Sequence, residues 1–276
     1  MGAAAGTGME RIAEAFASAR ASGRRAALMP YLMGGYPSLE ASSDVLCAYA
    51  EGGADLIELG IPFSDPLADG PVIHAAGVAA LSAGARVETV LALAGRAGVP
   101  VVVMCYANPI FARGLERFVD LLARSGASGL IVPDLPLEEA PAALEACDGA
   151  GIALVPLVAP TTPDERLRMI GGRARGFLYT VSVTGTTGER EGVDGGLAAV
   201  VGRARAATSV PVAVGFGIGT PEQAAAAAEA GADGVIVGSR LVRAAGEDLG
   251  RVRPLVGAFA AALRDPSADL RGSSLQ

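Results

Sequence analysis

Residues 57–70 read Ile-Glu-Leu-Gly-Ile-Pro-Phe-Ser-Asp-Pro-Leu-Ala-Asp-Gly and set one carboxylate, Glu58, inside an apolar run of Leu56, Ile57, Leu59 and Ile61. An unpaired carboxylate loses hydration there, and the usual escape is a raised pKa and a retained proton. Asp65 and Asp69 follow on a segment broken by proline and glycine, which can fold back over the strand end. One tuned acid in a strand with a second on the loop above it is an arrangement for general acid/base chemistry. The competing reading is a buried glutamate satisfied by backbone donors. Strand interiors seldom keep such a residue, which favours chemistry.

Three glycine-containing segments suggest a binding site for an anion. Gly215-Phe216-Gly217-Ile218-Gly219 and Gly238-Ser239-Arg240 each follow an apolar run, and Ser182-Val183-Thr184-Gly185-Thr186-Thr187-Gly188 follows another. Glycines let backbone N–H groups approach a phosphate closely, and a helix after Gly238 would aim its positive end at it. The segment 182–188 reads as a lid that closes on the same group. Any one of these turns alone is a weak signal; their succession points to phosphate. Arg240 could assist, although an exposed helix arginine reads the same way. Tyr31, Tyr106, Tyr179 and Phe216 fall at expected strand ends, where flat side chains could enclose a planar substrate portion, or simply pack a core.

Two absences narrow the chemistry. All 22 basic residues are arginine, so no lysine of this chain can form a Schiff base. His74 is the single histidine, which leaves none to join it in a His-rich metal centre or a triad. It reads as a partly exposed residue in the first turn of a helix. Cys47, Cys105 and Cys147 are widely separated and odd in number, which suits buried thiols better than disulfides or a metal site.

The elements that must position these groups alternate regularly. Short apolar runs at 27–33, 55–60, 100–105, 129–132, 153–156, 176–181, 211–214 and 234–237 read as eight strands. Alanine-rich helical segments lie between them, at 41–51, 87–97, 115–125, 137–146, 163–170, 196–207 and 221–230, with a last helix near 252–263. Thr162-Pro163-Asp164-Glu165 and Thr220-Pro221-Glu222 carry helix-start signals. Nearly continuous apolar strands belong to parallel sheets covered on both faces, and eight βα units in about 250 residues make a closed (β/α)8 TIM barrel. The competing open, doubly wound sheet lacks a Gly-x-Gly-x-x-Gly turn after the first strand. The expected organisation is a single barrel over 9–264 with an extra N-terminal helix from Met9, and flexible termini at 1–8 and 265–276. Gly-Ala-Asp at 53–55 and 231–233, and Gly-Ala-Ser at 126–128, hint at a repeated helix-to-strand turn. On such a barrel the chemistry sits at the C-terminal strand ends, where Glu58 and its loop would lie.

The net charge is −7 and no basic stripe is interleaved with aromatics, so nucleic-acid binding is not expected. Hydrophobic residues make up 51% of the chain, yet no run is long enough to cross a bilayer, and no secretory signal is visible. The chain reads as cytoplasmic.

The stretch 57–70 resembles the signature of the tryptophan synthase alpha subunit family. The likeness extends through Pro30-Tyr31, Gly35-Tyr36-Pro37, Tyr106-Ala107-Asn108-Pro109, Pro133-Asp134-Leu135-Pro136, the 182–188 segment, Gly215-Phe216-Gly217 and Gly238-Ser239. The resemblance implies retro-aldol cleavage of indole-3-glycerol phosphate to indole and glyceraldehyde 3-phosphate, with neither metal nor Schiff base. It implies that Glu58 is the general acid/base and that Asp69 holds the indole N–H, with Thr187 positioning Asp69. Tyr179 would line the pocket near Glu58, Phe216, Tyr106 and Met104 would contact the indole, and Gly188, Gly217, Gly238 and Ser239 would supply phosphate donors. It further implies a beta-subunit partner in an alpha2-beta2 complex, which alone would carry pyridoxal phosphate. Pro62, Asp65, Asn108 and Asp134 would lie on the docking face. Met33, Gly34, His74 and Thr186 depart from the family pattern without touching a proposed catalytic group. A free-standing, indole-releasing lyase and a noncatalytic phosphate-binding activator remain as alternatives; a sugar-phosphate epimerase fits the fold but usually needs metal ligands.

Overall fold

The computed structural model describes residues 6–181, 196–215 and 217–265. Nine strands form one wholly parallel sheet: β1 (Ala27–Met33), β2 (Ile57–Gly60), β3 (Val101–Met104), β4 (Gly129–Ile131), β5 (Ala153–Val155), β6 (Leu157–Val158), β7 (Leu178–Val181), β8 (Val212–Gly215) and β9 (Gly234–Val237). The spatial order is β5-β4-β3-β2-β1-β9-β8-β7-β6, so the two ends of the sheet are consecutive in the chain. Only Pro156 separates β5 from β6, and β5 pairs with β4 while β6 pairs with β7. The expected eight-strand count is corrected here. One barrel position is split at a proline, which has no N–H to give a ladder, although its carbonyl still accepts from Tyr179 N at 3.0 Å.

Helices surround the cylinder: α1 (Gly8–Ala21), α2 (Leu39–Glu51), α3 (Pro71–Ser82), α4 (Val87–Leu91), α5 (Ala107–Phe111), α6 (Leu115–Arg124), α7 (Pro141–Gly149), α8 (Asp164–Gly171), α9 (Gly196–Ala207), α10 (Pro221–Glu229), α11 (Ser239–Glu247) and α12 (Val252–Ala262). The short α5 lies where no helix is expected from sequence, because it spans barely more than one turn and contains Pro109. Thr220 caps α10 by accepting from Gln223 N. Thr162, expected to do the same for α8, instead accepts from Ala159 N.

The N-terminal end of the cylinder is sealed by α1. Ile12, Phe16 and Ala19 are buried, and Ile12 and Phe16 pack with Ala27, Met29, Phe177, Ala213 and Ile236 in one interior cluster. Phe16, Phe177 and Tyr179 follow one another through this core at centroid separations of 6.0 and 6.4 Å. Of the termini expected to be flexible, 1–5 and 266–276 lie outside the described residues. Thr7 belongs to the fold: its hydroxyl accepts from Glu10 N while Glu10 accepts from Thr7 N at 2.7 Å.

The repeated turn is a fastening at this same end. Gly53 and Gly231 adopt φ of +99° and +95°, a conformation that disfavours other residues. Each directs an aspartate two residues on toward the strand next door. Asp55 accepts from Leu28 N at 2.8 Å and pairs with Arg24 at 2.8 Å; Asp233 accepts from Val212 N at 2.9 Å and pairs with Arg20 at 2.6 Å. No single helix among the described residues is long and apolar enough to cross a membrane.

Candidate active site

At the C-terminal end of the strands lies a cavity of about 210 Å³. Glu58 reaches it from the middle of β2, with Tyr31 of β1 and Val102 of β3 as its register partners. Its side chain is 1% exposed, and neither Oε1 nor Oε2 has a hydrogen-bond partner among the described residues. Burial, and secondarily the charge of Asp69, pushes the Glu58 pKa up to about 8. Glu58 therefore holds a proton at neutral pH and can release one without a large penalty.

Asp69 lines the same cavity, half-buried on the loop between β2 and α3. Burial raises its pKa, opposed by a hydrogen bond from Tyr106 and by the charge of His74. The Tyr106 hydroxyl donates to Asp69 Oδ1 at 2.8 Å and accepts from Ala68 N at 3.0 Å, while its ring packs on Phe63 at 5.4 Å. Tyr106 thus anchors the acidic loop from behind, a role that its sequence position does not disclose. His74 is exposed on α3.

Two tyrosines stand over glycines of neighbouring strands. A Cβ on Gly60 would meet the Tyr31 hydroxyl at 2.0 Å, and one on Gly215 would meet that of Tyr179 at 2.4 Å. Gly215 therefore makes room for Tyr179, a use unlike the anion contact suggested by its glycine-rich segment. The Gly219 N–H is likewise engaged, donating to Gln223 Oε1 at 2.7 Å. Gly217, with φ of +81°, and Gly238 and Ser239 at the start of α11 border the cavity. The Ser239 and Arg240 amides have no acceptor among the described residues, as expected in a first helical turn. A Cβ on Gly238 would meet only Tyr31 Cβ, at an ordinary 3.8 Å, so the space beside it opens on the cavity.

Of the residues singled out from sequence, Tyr31, Glu58, Asp69, Met104, Tyr179, Gly217, Gly238 and Ser239 line this one cavity. Thr187, Gly188 and Phe216 lie outside the described residues. Ile73, Pro133 and Ile236 also line it and were not anticipated, since isolated apolar residues carry no signal of their own. Around the rim, Asp65, Asn108 and Asp134 are exposed, whereas Pro62 is buried. Asp134 accepts from Ala107 N at 2.9 Å at the start of α5. Leu67 and Phe111 on this rim are 87% and 53% exposed. Among the described residues, no group of three or more His, Cys, Asp or Glu is placed to hold a metal ion.

An enclosed acid, a second acid lining the same cavity and helix-start amides without acceptors lie together at the C-terminal mouth of a (β/α)8 barrel, the end at which enzymes of this fold carry their active sites. The family model described as "Tryptophan synthase alpha chain" matches residues 16–264. A tryptophan synthase alpha chain of Prochlorococcus marinus is 49% identical over 259 residues, covering 92% of this chain and 94% of that relative. One from Methanosarcina mazei is 50% identical, covering 84% and 86%. Among solved structures, Mycobacterium tuberculosis tryptophan synthase superposes with a TM-score of 0.86 at 43% identity, covering 92% of this chain and 98% of that one. The tryptophan synthase a2b2 complex of Pyrococcus furiosus gives 0.80 at 37%, covering 85% and 98%. This chain belongs to the tryptophan synthase alpha chain family.

Proposed function

We propose that this chain cleaves indole-3-glycerol phosphate into indole and glyceraldehyde 3-phosphate as the alpha subunit of tryptophan synthase, in tryptophan biosynthesis. The observation that carries the site assignment is the orphaned, buried Glu58 carboxyl facing the same cavity as Asp69. A retro-aldol reaction needs one proton delivered to indole C3 and one removed from the side-chain hydroxyl next to the ring. Protonated Glu58 donates the first; the resulting carboxylate takes the second as the carbon–carbon bond breaks and the aldehyde forms. The group ends the cycle in its starting state. Asp69 accepts the indole N–H and stabilises the positive charge that develops as C3 becomes tetrahedral, while Tyr106 fixes its position. Tyr31, Tyr179 and Met104 flank the ring, and the Gly217, Gly238 and Ser239 backbone receives the phosphate.

Gly188 and Phe216 are assigned to the phosphate and the ring, and Thr187 to positioning Asp69, on family resemblance alone. The beta-subunit partner docks on the rim through Asp65, Asn108 and Asp134, with Pro62 beneath them. The exposed Leu67 and Phe111 support that surface, since apolar side chains so exposed are common at protein interfaces. The chemistry assigned here draws on no cofactor in this chain, and pyridoxal phosphate belongs to the partner. A free-standing lyase differs by turning over without the partner. The test is incubation of the purified chain with indole-3-glycerol phosphate, with and without a beta subunit, following free indole. Release that rises with the partner is expected; no release in either arm refutes the assignment.

A further inference from the structure

Arg240 is left unused by the assignment above. It is half-buried in the first turn of α11, immediately after Ser239, and lines the cavity together with Arg243 one turn further on. Arg240 has no ion-pair or hydrogen-bond partner among the described residues, whereas many of the chain's other arginines sit in ion pairs, such as Arg20, Arg24, Arg113, Arg166 and Arg203. An arginine that borders an acid-lined cavity without a carboxylate of its own is available to a ligand anion.

The acid and the arginine reach the cavity from different elements. Glu58 of β2 is registered against Tyr31 of β1, and Pro30 of β1 against Val237 of β9, the residue before Gly238. The acid and the start of α11 are therefore two strand spacings apart, about 10 Å. Glu58 lines the cavity from β2 and Asp69 from the loop after it, while Arg240 lines it from the start of α11. A substrate with an aromatic ring and a phosphate on a three-carbon chain spans this distance with its ring at the protonated Glu58 and its dianionic end beside Arg240, which attracts it. The chain as a whole carries −7, so its general field opposes a phosphate ester, and the neutral amides of the glycine turns supply no full charge against it.

We propose that Arg240 is a binding residue for the phosphate of the substrate, adding a full positive charge to the backbone amides at the start of α11 and fixing the direction in which the substrate enters. This rests on the reading of the cavity as the indole-3-glycerol phosphate site. The residue holds the non-reacting end, so its effect falls on binding and not on the chemical step.

The experiment compares the full chain with R240Q and R240K by steady-state cleavage of indole-3-glycerol phosphate in the presence of a beta subunit. Inhibition by glycerol 3-phosphate reports the phosphate end, and binding of indole reports the ring end. For R240Q the expected result is a rise of about tenfold in KM and in the glycerol 3-phosphate inhibition constant, with kcat within about twofold and indole affinity unchanged. R240K is expected to recover most of the loss. Unchanged constants in R240Q overturn the proposal, as does equal weakening of glycerol 3-phosphate and indole, or R240K as impaired as R240Q. Should the wild-type chain release no indole, the substrate reading fails separately, and glycerol 3-phosphate affinity by titration calorimetry then decides the role of Arg240.

Discussion

The two ends of the barrel treat their carboxylates in opposite ways. At the N-terminal end, Asp55 and Asp233 are each held by a backbone N–H and an arginine. At the C-terminal end, Glu58 is more deeply buried and has neither. Burial raises the pKa of Asp55 too, but the Leu28 amide and Arg24 oppose the rise. No such opposition acts on Glu58, since the charge of Asp69 pushes in the same direction as burial. The difference teaches where this fold keeps strength and where it keeps reactivity: a satisfied acid fastens strands together, and an unsatisfied one is ready to exchange a proton.

Substitutions at the two ends should therefore separate cleanly. Glu58→Gln is expected to cut cleavage of indole-3-glycerol phosphate by about a thousandfold or more, leaving glycerol 3-phosphate affinity within about twofold. Circular dichroism and melting should show an intact fold; a collapsed fold with loss of ligand binding would place Glu58 with the structural acids. Asp55→Ala is expected to do the reverse, lowering unfolding stability in urea by about 3 kcal/mol because Arg24 and the Leu28 amide lose their partner. Its kcat, measured on the folded fraction, should stay within about twofold of wild type, and a large selective loss of kcat would erase the contrast.

The pH dependence of stability sharpens the comparison. Glu58 has a higher pKa folded than unfolded, so its contribution is fully present below the ordinary glutamate range and is lost as pH rises toward about 8. Relative to wild type, Glu58→Gln should therefore gain stability between pH 5 and 8, approaching about 1.4 kcal/mol per pH unit, and level off above that. Paired urea titrations across this range check it, and a flat difference would mean that the carboxyl is hydrated. The smallest effect is expected for Tyr106→Phe, which removes the donor to Asp69 but little volume. A drop in kcat of roughly fivefold is expected, with glycerol 3-phosphate inhibition unchanged. Wild-type kcat would show that the Asp69 loop holds itself.

The parts of this architecture that follow from local rules can be read from the residues. Strands buried on both faces carry continuous apolar runs, and β1 and β9 have the expected limits. Glu58 stands out because its neighbours in sequence are also its neighbours in space. Contacts made by tertiary folding leave no such trace. Tyr106 reaches Asp69 across 37 positions, and Gly60 and Gly215 are small because of tyrosines on other strands. The split at Pro156 is also hidden, since apolar residues continue on either side of it while the pairing partner changes from β4 to β7. Arg240 is ambiguous from sequence for the same reason: only the fold decides whether a helix-start arginine meets solvent or a cavity.

The helix that stoppers the base of the cylinder has a chemical consequence far from itself. With Ile12 and Phe16 in place, the interior beneath the Glu58 carboxyl is filled by a column of packed apolar side chains. Removing that stopper would open a second doorway, let the acid hydrate from below and return its proton affinity toward that of an ordinary glutamate. Helix α1, at the opposite end of the cylinder from the cavity, thereby helps set the acidity of Glu58.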